Sequence, residues 1–255
     1  MRRIVLPLAL FAAVLAAWQY GSAWAHISPK LLAPPSDVLR VIGETLPLLL
    51  QHAVPTAIAL VASFVLASLL GFVLGTALAA SRRLRQAIYP HIVLFQLTPK
   101  IAVAPLFIIW LGVGAASTLA LAVFLSFFPV LIATASGLTG TDAASLRLCR
   151  ALTATRWQTF RYVRLPYALP HIFDGLKIAA TISLTGLIVG EFVAAQAGLG
   201  YVVLFASSIG ETGLLLAAVA FLCLIGLVLY GLVAGAERIV MRSFGGSSST
   251  GDHAG

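Results

Sequence analysis

The pattern of apolar and polar positions divides the chain into long apolar runs separated by short polar ones. The longest, IAVAPLFIIWLGVGAASTLALAVFLSFFPVLIATASGLTGT, lies between Lys100 and Asp142 and holds no charged residue. It is long enough for two membrane spans with a turn at Gly112 and Gly114 between them. A helix needs about 20 apolar residues to cross a hydrocarbon core of ~30 Å. On that measure six spans are predicted, near 4–24, 53–80, 86–111, 116–138, 171–195 and 213–236. Backbone amides must be paired within lipid, and helices do this within one segment. A barrel would need shorter, alternating segments, which the chain lacks. The predicted fold class is therefore all-α: a polytopic helical membrane protein in one domain, 1–245. The polar tail 246–255 is expected to be disordered.

Composition agrees with lipid as the main solvent. Of 255 residues, 60% are hydrophobic and 9% charged, whereas soluble domains carry about 25% charged residues. A net charge of +8 raises nucleic acid as a partner. The basic residues cluster at the ends of apolar runs and form no continuous face, which argues against it. Cys149 and Cys223 make neither a CxxC nor a metal spacing and read as packing residues.

The arginines set an orientation. Arg2 and Arg3 precede the first span, and Arg82, Arg83 and Arg85 follow the second. Arg147, Arg150, Arg156, Arg161 and Arg164 follow the fourth, and Arg238 and Arg242 the sixth; the other side has only Lys30 and Arg40. The positive-inside bias places both termini in the cytoplasm. Residues 2–25, ending Ala23-Trp24-Ala25, have the form of a cleavable leader. The apolar run is long for one, and a retained span is expected. After it, Ser36 or Asp37 is expected to cap a short surface helix towards Leu46. Three Gly-x-x-x-Gly pairs, Gly71/Gly75, Gly186/Gly190 and Gly231/Gly235, suit close helix contact. Packing within one subunit and contact between subunits are both open to them.

Residues 139–170 carry the densest polar chemistry. Thr141 is placed to cap a first short helix, DAASLRLCRAL, and Thr155-Arg156-Trp157-Gln158 fits a capping box starting a second. Pro166 and Pro170 are expected to stop that helix and lead into the fifth span. Leu146, Cys149 and Leu152 fall on one side of the first helix, with Arg147 and Arg150 on others. From the residues alone, such a helix–turn–helix either docks on a partner protein or anchors to lipid phosphates.

This stretch resembles the cytoplasmic signature loop of permease subunits in bacterial ATP-binding-cassette importers. That pattern is Glu-Ala-Ala, three residues, Gly, nine residues, then Ile-x-Leu-Pro. Here it falls on Arg147-Leu148-Cys149, Thr153 and Val163-Arg164-Leu165-Pro166, with the spacing and Leu-Pro kept and the Glu and Gly replaced. Ala154-Thr-Arg-Trp-Gln, Leu165-Pro-Tyr-Ala-Leu-Pro-His-Ile-Phe-Asp-Gly-Leu-Lys and Gly190-Glu-Phe-Val-Ala-Ala-Gln-Ala-Gly-Leu-Gly-Tyr resemble the nitrate/sulfonate/taurine branch, as do Pro35-Ser-Asp-Val-Leu and the segment from Pro99 to Gly114.

The resemblance implies a type I importer permease fold in the bacterial inner membrane and a set of partners. These are an ATPase subunit on the signature loop, a periplasmic substrate-binding protein, and a second permease copy, with a homodimer favoured. ATP and Mg would belong to the ATPase; no cofactor is expected in this chain, and Lys30, Lys100 and Lys177 all lack a phosphate-loop context. Coupling to the ATPase would fall on Arg147, Leu148, Cys149, Leu152, Thr153, Ala154, Thr155, Arg156, Trp157, Gln158, Leu165 and Pro166. Because Thr153 is β-branched, the first helix is expected to end without a left-handed residue there. Arg147 in place of a carboxylate is expected to face a neutral or acidic partner pocket.

Ionisable groups at membrane depth are costly and often functional. Lys100 lies midway along the predicted third span, between Pro99 and Pro105. It reads either as a pathway contact, with Gln96, Thr98 and Pro99 beside it, or as a lysine paired with Glu191 or turned towards a loop. Glu191 itself, near the end of the fifth span, reads as structural or interfacial more than as a pathway contact. His52, His91 and His171 read as interfacial, and Asp174 and Lys177 as a helical pair. A stand-alone secondary transporter would show inverted repeats and a mid-depth carboxylate. An intramembrane enzyme would show Gly-x-Ser with His, paired aspartates or His-Glu-x-x-His; none appears. The expected substrate is a nitrate-, sulfonate- or taurine-like anion, with a pyrimidine vitamin precursor or riboflavin as the alternative.

Overall fold

A computed structural model describes residues 2–26, 28, 30–194 and 196–243. The tail 246–255 lies outside them. Among the described residues all regular structure is helical. The helices are α1 (Arg2–Trp24), α2 (Pro35–Ala80), α3 (Arg82–Leu97), α4 (Ala104–Leu111), α5 (Ala115–Thr139), α6 (Ala143–Ala151), α7 (Arg156–Thr159), α8 (Leu165–Ala194), α9 (Leu199–Ile209) and α10 (Thr212–Ser243). Five stretches are long and apolar enough to cross a bilayer; α3 with α4, bent by 91°, has the form of a broken sixth span or a re-entrant loop.

Three expected elements take a different form. The short surface helix and the second span fuse into one 46-residue helix, α2, that runs on through Pro47 and Pro55. At 1.5 Å per residue it is about 69 Å long, so its first turns project beyond any hydrocarbon core. Ser36 and Asp37 do not cap it. Pro34 occupies the N-cap and Pro35 the first turn, where a missing N–H costs nothing. Gln19 of α1 supplies the cap instead: its Oε1 accepts the Ser36 N–H at 3.0 Å, and its Nε2 donates to Ser36 Oγ at 3.0 Å. Asp37 pairs with Arg40, which also meets Glu44 at 2.9 Å.

The third span is the second departure. It is broken at Thr98–Pro99, with a 3₁₀ turn over Lys100–Val103 between α3 and α4. Pro99 is extended (φ −65°, ψ 91°), which ends α3. The third departure is α9, an 11-residue apolar helix between Gly198 and Gly210 that span-length reasoning passes over.

The core forms around α5, the most buried of the spans. Two of the three glycine pairs grip it. A Cβ on Gly71 or Gly75 of α2 would come within 2.7 Å of Val130 or Thr134 Cβ, and one on Gly186 or Gly190 of α8 within 2.9 Å of Ala122 or Thr118. Such approach is possible only without side chains, and it lets three backbones pack by dispersion where lipid offers no hydrophobic drive. Gly231 and Gly235 of α10 meet no atom within 4 Å. Helix α10 is tied to α8 by Lys177, which pairs with Asp174 at 2.9 Å, as the spacing predicts, and with Glu237 of α10 at 3.1 Å.

Candidate functional site

Two polar constructions stand at opposite ends of α8. The first is the 141–166 turn. Thr141 does not cap α6. Its side chain is buried and donates to Leu138 O. Asp142 is the N-cap: its carboxylate accepts the Ser145 N–H at 2.9 Å. The amides of Ser145 and then Ala144, opposed by desolvation, hold this exposed carboxyl below the ordinary aspartate range, with further contributions from the Ser145 hydroxyl and Arg147.

The end of α6 overturns the expectation for Thr153, whose φ is +54°. The Ala154 N–H donates to Cys149 O at 2.9 Å and the Thr153 N–H to Arg150 O at 3.1 Å. This is a Schellman termination, with Thr153 in the left-handed position that glycine usually fills. Two terminal carbonyls gain partners there, which outweighs a left-handed cost of about 1–2 kcal/mol. Two residues later the capping box forms as read: Gln158 N–H donates to Thr155 Oγ1 at 3.2 Å, and Thr155 N–H to Gln158 Oε1 at 2.8 Å.

Pro166 and Pro170 do not stop the helix begun at Arg156. It continues through a π turn over Phe160–Arg164 into α8. The Leu165 N–H reaches back to Phe160 O. That wider register accommodates the missing Pro166 donor without ending the helix.

The result is a rigid, capped turn with apolar side chains held outward. Leu148 is 60% exposed, and Leu152 and Trp157 are each 69% exposed. Leu148 and Leu152 are one turn apart on the same face of α6. Leu146 and Cys149 are only partly exposed, so Leu152 joins Leu148 and not the stripe expected for it. Arg147, Arg150 and Arg156 are exposed and make no ion pair among the described residues. The ring of Trp157 stacks on Phe160 at 5.7 Å between centroids. Of the remaining coupling candidates, Leu165 and Pro166 open α8 and are partly buried.

The second construction gathers residues that no single run suggests. Helix α9 begins with three amides, and each finds a side-chain acceptor. Gly198 N–H donates to His52 Nδ1 at 3.1 Å, Leu199 N–H to Thr56 Oγ1 at 2.9 Å, and Gly200 N–H to Glu191 Oε2 at 2.7 Å. The Thr56 hydroxyl donates to Glu191 Oε1 at 2.8 Å. Three donors at the start of α9 are thus satisfied from α2 and α8. Glu191, 4% exposed, places its carboxylate at the positive end of the α9 dipole. Gly198 (φ +111°) tolerates no side chain, because a Cβ there would sit 2.4 Å from Glu191 Oε1. Tyr201 stacks on His52 at 6.0 Å. His52 therefore belongs to this network and not to an interface alone. The signals were its four-residue spacing to Thr56 and the Glu191…Gly198-Leu-Gly200 pattern.

Gln96, Thr98, Pro99 and Lys100 sit together at the α3–α4 break, away from that network. Gln96 and Thr98 are exposed, and Thr98 Oγ1 donates to Leu94 O at 3.2 Å. Lys100 does not pair with Glu191, whose oxygens are taken by Thr56 and Gly200. Its Nζ lies 5.1 Å from the ring centroid of Phe128, halfway along α5.

Comparison with known proteins follows this layout. Residues 67–242 match the family model described as "Binding-protein-dependent transport system inner membrane component". The riboflavin transport system permease protein RibX of Chloroflexus aurantiacus is 36% identical over 239 residues, 93% of this chain and 89% of that protein. The taurine transport system permease protein TauC of Escherichia coli is 30% identical over 235 residues, 89% of this chain and 86% of that protein. The formylaminopyrimidine transport permease protein ThiX of Halalkalibacterium halodurans is 31% identical, covering 76% and 78%. Among solved structures, an inward-facing form of the MetNI methionine ABC transporter superposes with a TM-score of 0.64 at 19% identity, over 79% of this chain and 98% of the matched one. That likeness bears on the fold.

Proposed function

The chain belongs to the family of binding-protein-dependent transport system inner membrane components and is the permease of an ATP-binding-cassette importer, and we propose that its 141–166 turn is the face through which a separate ATPase drives it. The observation that carries this reading is the outward apolar ridge of Leu148, Leu152 and Trp157 on a turn whose ends are capped from within the chain. A floppy loop would lose a mechanical displacement, whereas a capped one transmits it. In this reading both termini and the turn face the cytoplasm, a second copy of the chain completes the pathway, and a binding protein delivers solute from the opposite side. ATP and Mg sit in the ATPase subunit, and this chain performs no chemistry of its own.

The pathway reading centres on the α3–α4 break. Lys100 stands there beside freed backbone groups and over Phe128, and irregular backbone at membrane depth is tolerated where it lines a cavity. A cation without an acidic partner favours an anionic solute, in line with the taurine relative. The riboflavin and formylaminopyrimidine relatives, at 36% and 31% identity, support a second reading, a planar heterocycle stacked against the aromatic side chains of this region.

The test is uptake in proteoliposomes containing the chain, its ATPase and its binding protein. Uptake that requires both ATP and the ATPase supports the assignment; solute movement with neither contradicts it. Lys100→Met, with assembly intact, is expected to lower uptake of an anionic solute at least tenfold. Unchanged uptake would remove Lys100 from the pathway.

A further inference from the structure

A cavity of about 860 Å³ opens between the 141–166 turn and the ends of α2 and α5. Arg150, Arg156 and Arg164 line it, and Leu138, Phe160 and Trp157 are among its apolar walls. None of the three arginines meets a carboxylate among the described residues. Two of the lining residues also present buried donors without a partner: Arg164 Nε and the Thr76 hydroxyl. Buried donors are ordinarily satisfied, and an orphaned one costs about 1–3 kcal/mol. A cavity lined by three arginines and by no acid is complementary to an anion rich in acceptor oxygens.

Its position narrows the source of that anion. Ala79 and Ala80, which line it, are the last residues of α2, and Leu138 lies in the last turn of α5. The cavity therefore stands where membrane-spanning helices leave the hydrocarbon, with apolar walls below and arginines above. Basic pockets at this level accommodate phospholipid headgroups. We propose that this cavity is a binding site for the phosphodiester headgroup of an anionic phospholipid, bound by Arg150, Arg156 and Arg164. A lipid held there would wedge the turn against the ends of α2 and α5. Arg156 and Trp157 border both this cavity and the proposed coupling face, so the assignment requires that the lipid and the ATPase be bound together.

The test is native mass spectrometry of the full chain, purified alone and with its ATPase, titrated with phosphatidylglycerol or phosphatidylcholine. The expected result is one phosphatidylglycerol per chain, bound at least tenfold more tightly than phosphatidylcholine. In Arg150→Gln/Arg164→Gln that affinity should fall roughly 30-fold, at about 1 kcal/mol per basic group and 1.4 kcal/mol per tenfold. Arg161→Gln/Arg238→Gln removes the same charge outside the cavity and should leave it unchanged. Equal losses in the two variants would reduce the effect to net charge and overturn the site. Displacement of the lipid by millimolar inorganic phosphate would make it a soluble-anion site and overturn the lipid source. Loss of the bound lipid when the ATPase is present would show that the cavity belongs to the partner, and would also overturn it.

Discussion

The Glu191 network and the 141–166 turn sit at the two ends of α8 and use polar residues in opposite ways. Around Glu191 the amides of Gly198, Leu199 and Gly200 are paired with side chains of the chain, and the carboxylate is buried. In the turn the backbone is equally well capped, but the side chains are left over: Leu148, Leu152 and Trp157 face outward, and among the described residues the arginines meet no acid. Internal pairing marks residues that hold the fold. Satisfied backbone carrying unsatisfied side chains marks a surface shaped for something else. The contrast separates structure from coupling more sharply than burial alone, since Glu191 and Lys100 are both ionisable residues of apolar segments and only Glu191 has protein acceptors and donors around it.

The contrast makes graded predictions. Leu148→Asp/Leu152→Asp should lower ATP-driven uptake roughly 100-fold, about 2.7 kcal/mol, as expected for the apolar centre of an interface. The melting temperature of the purified chain should fall by no more than a few degrees, because both side chains are exposed and the cost is confined to two carboxylates at the C-terminal end of α6, about 0.3–1 kcal/mol each. A large drop in melting temperature would assign these leucines to the fold. Glu191→Ala should do the reverse. It orphans the Gly200 amide and leaves the Thr56 hydroxyl only the His52 carbonyl, 3.2 Å away, and a loss of roughly 2 kcal/mol is expected in thermal unfolding in detergent. Glu191→Gln, which keeps an acceptor, should lose less. Wild-type stability in Glu191→Ala would break the comparison at its buried end.

Smaller effects sharpen the turn. Thr153→Gly removes a left-handed cost of about 1–2 kcal/mol, partly offset by the entropy of glycine. Slower hydrogen exchange at Ala154 is expected, by about fivefold. Faster exchange would show that the hydroxyl or methyl of Thr153 supports the turn. The smallest effect concerns pH. The Asp142 carboxyl is held below its ordinary value, so its cap is complete above about pH 4 and is lost only as pH falls through the lowered value. Exchange at Ser145 should be protected alike from pH 5 to 8 once intrinsic rates are corrected, and should lose protection below about pH 4. Asp142→Asn should abolish that acid step.

Much of this arrangement is legible in the chain because lipid imposes strict lengths. The runs near 116–138 and 213–236 correspond to α5 and α10 within a few residues, except that α10 continues to Ser243. The Thr155–Gln158 box is local chemistry and forms as read. What was not legible depends on distant partners. The cap on α2 comes from Gln19, 17 residues away. The start of α9 needs His52, Thr56 and Glu191 from two other helices. At Thr153 the steric preference of a β-branched residue is overridden, because two carbonyls at the end of α6 gain partners only if that residue turns left-handed. Pro166 and Pro170 misled for a related reason, since a π turn absorbs a missing donor without ending a helix.

The account depends most on the turn being the face that an ATPase grips. Trp157→Cys, in a chain with Cys149→Ser and Cys223→Ser, can be probed with a membrane-impermeant thiol reagent in oriented vesicles. Labelling only from the cytoplasmic side, with protection when the ATPase is added, is the predicted result. Labelling from the opposite side, or labelling indifferent to the ATPase, would contradict it.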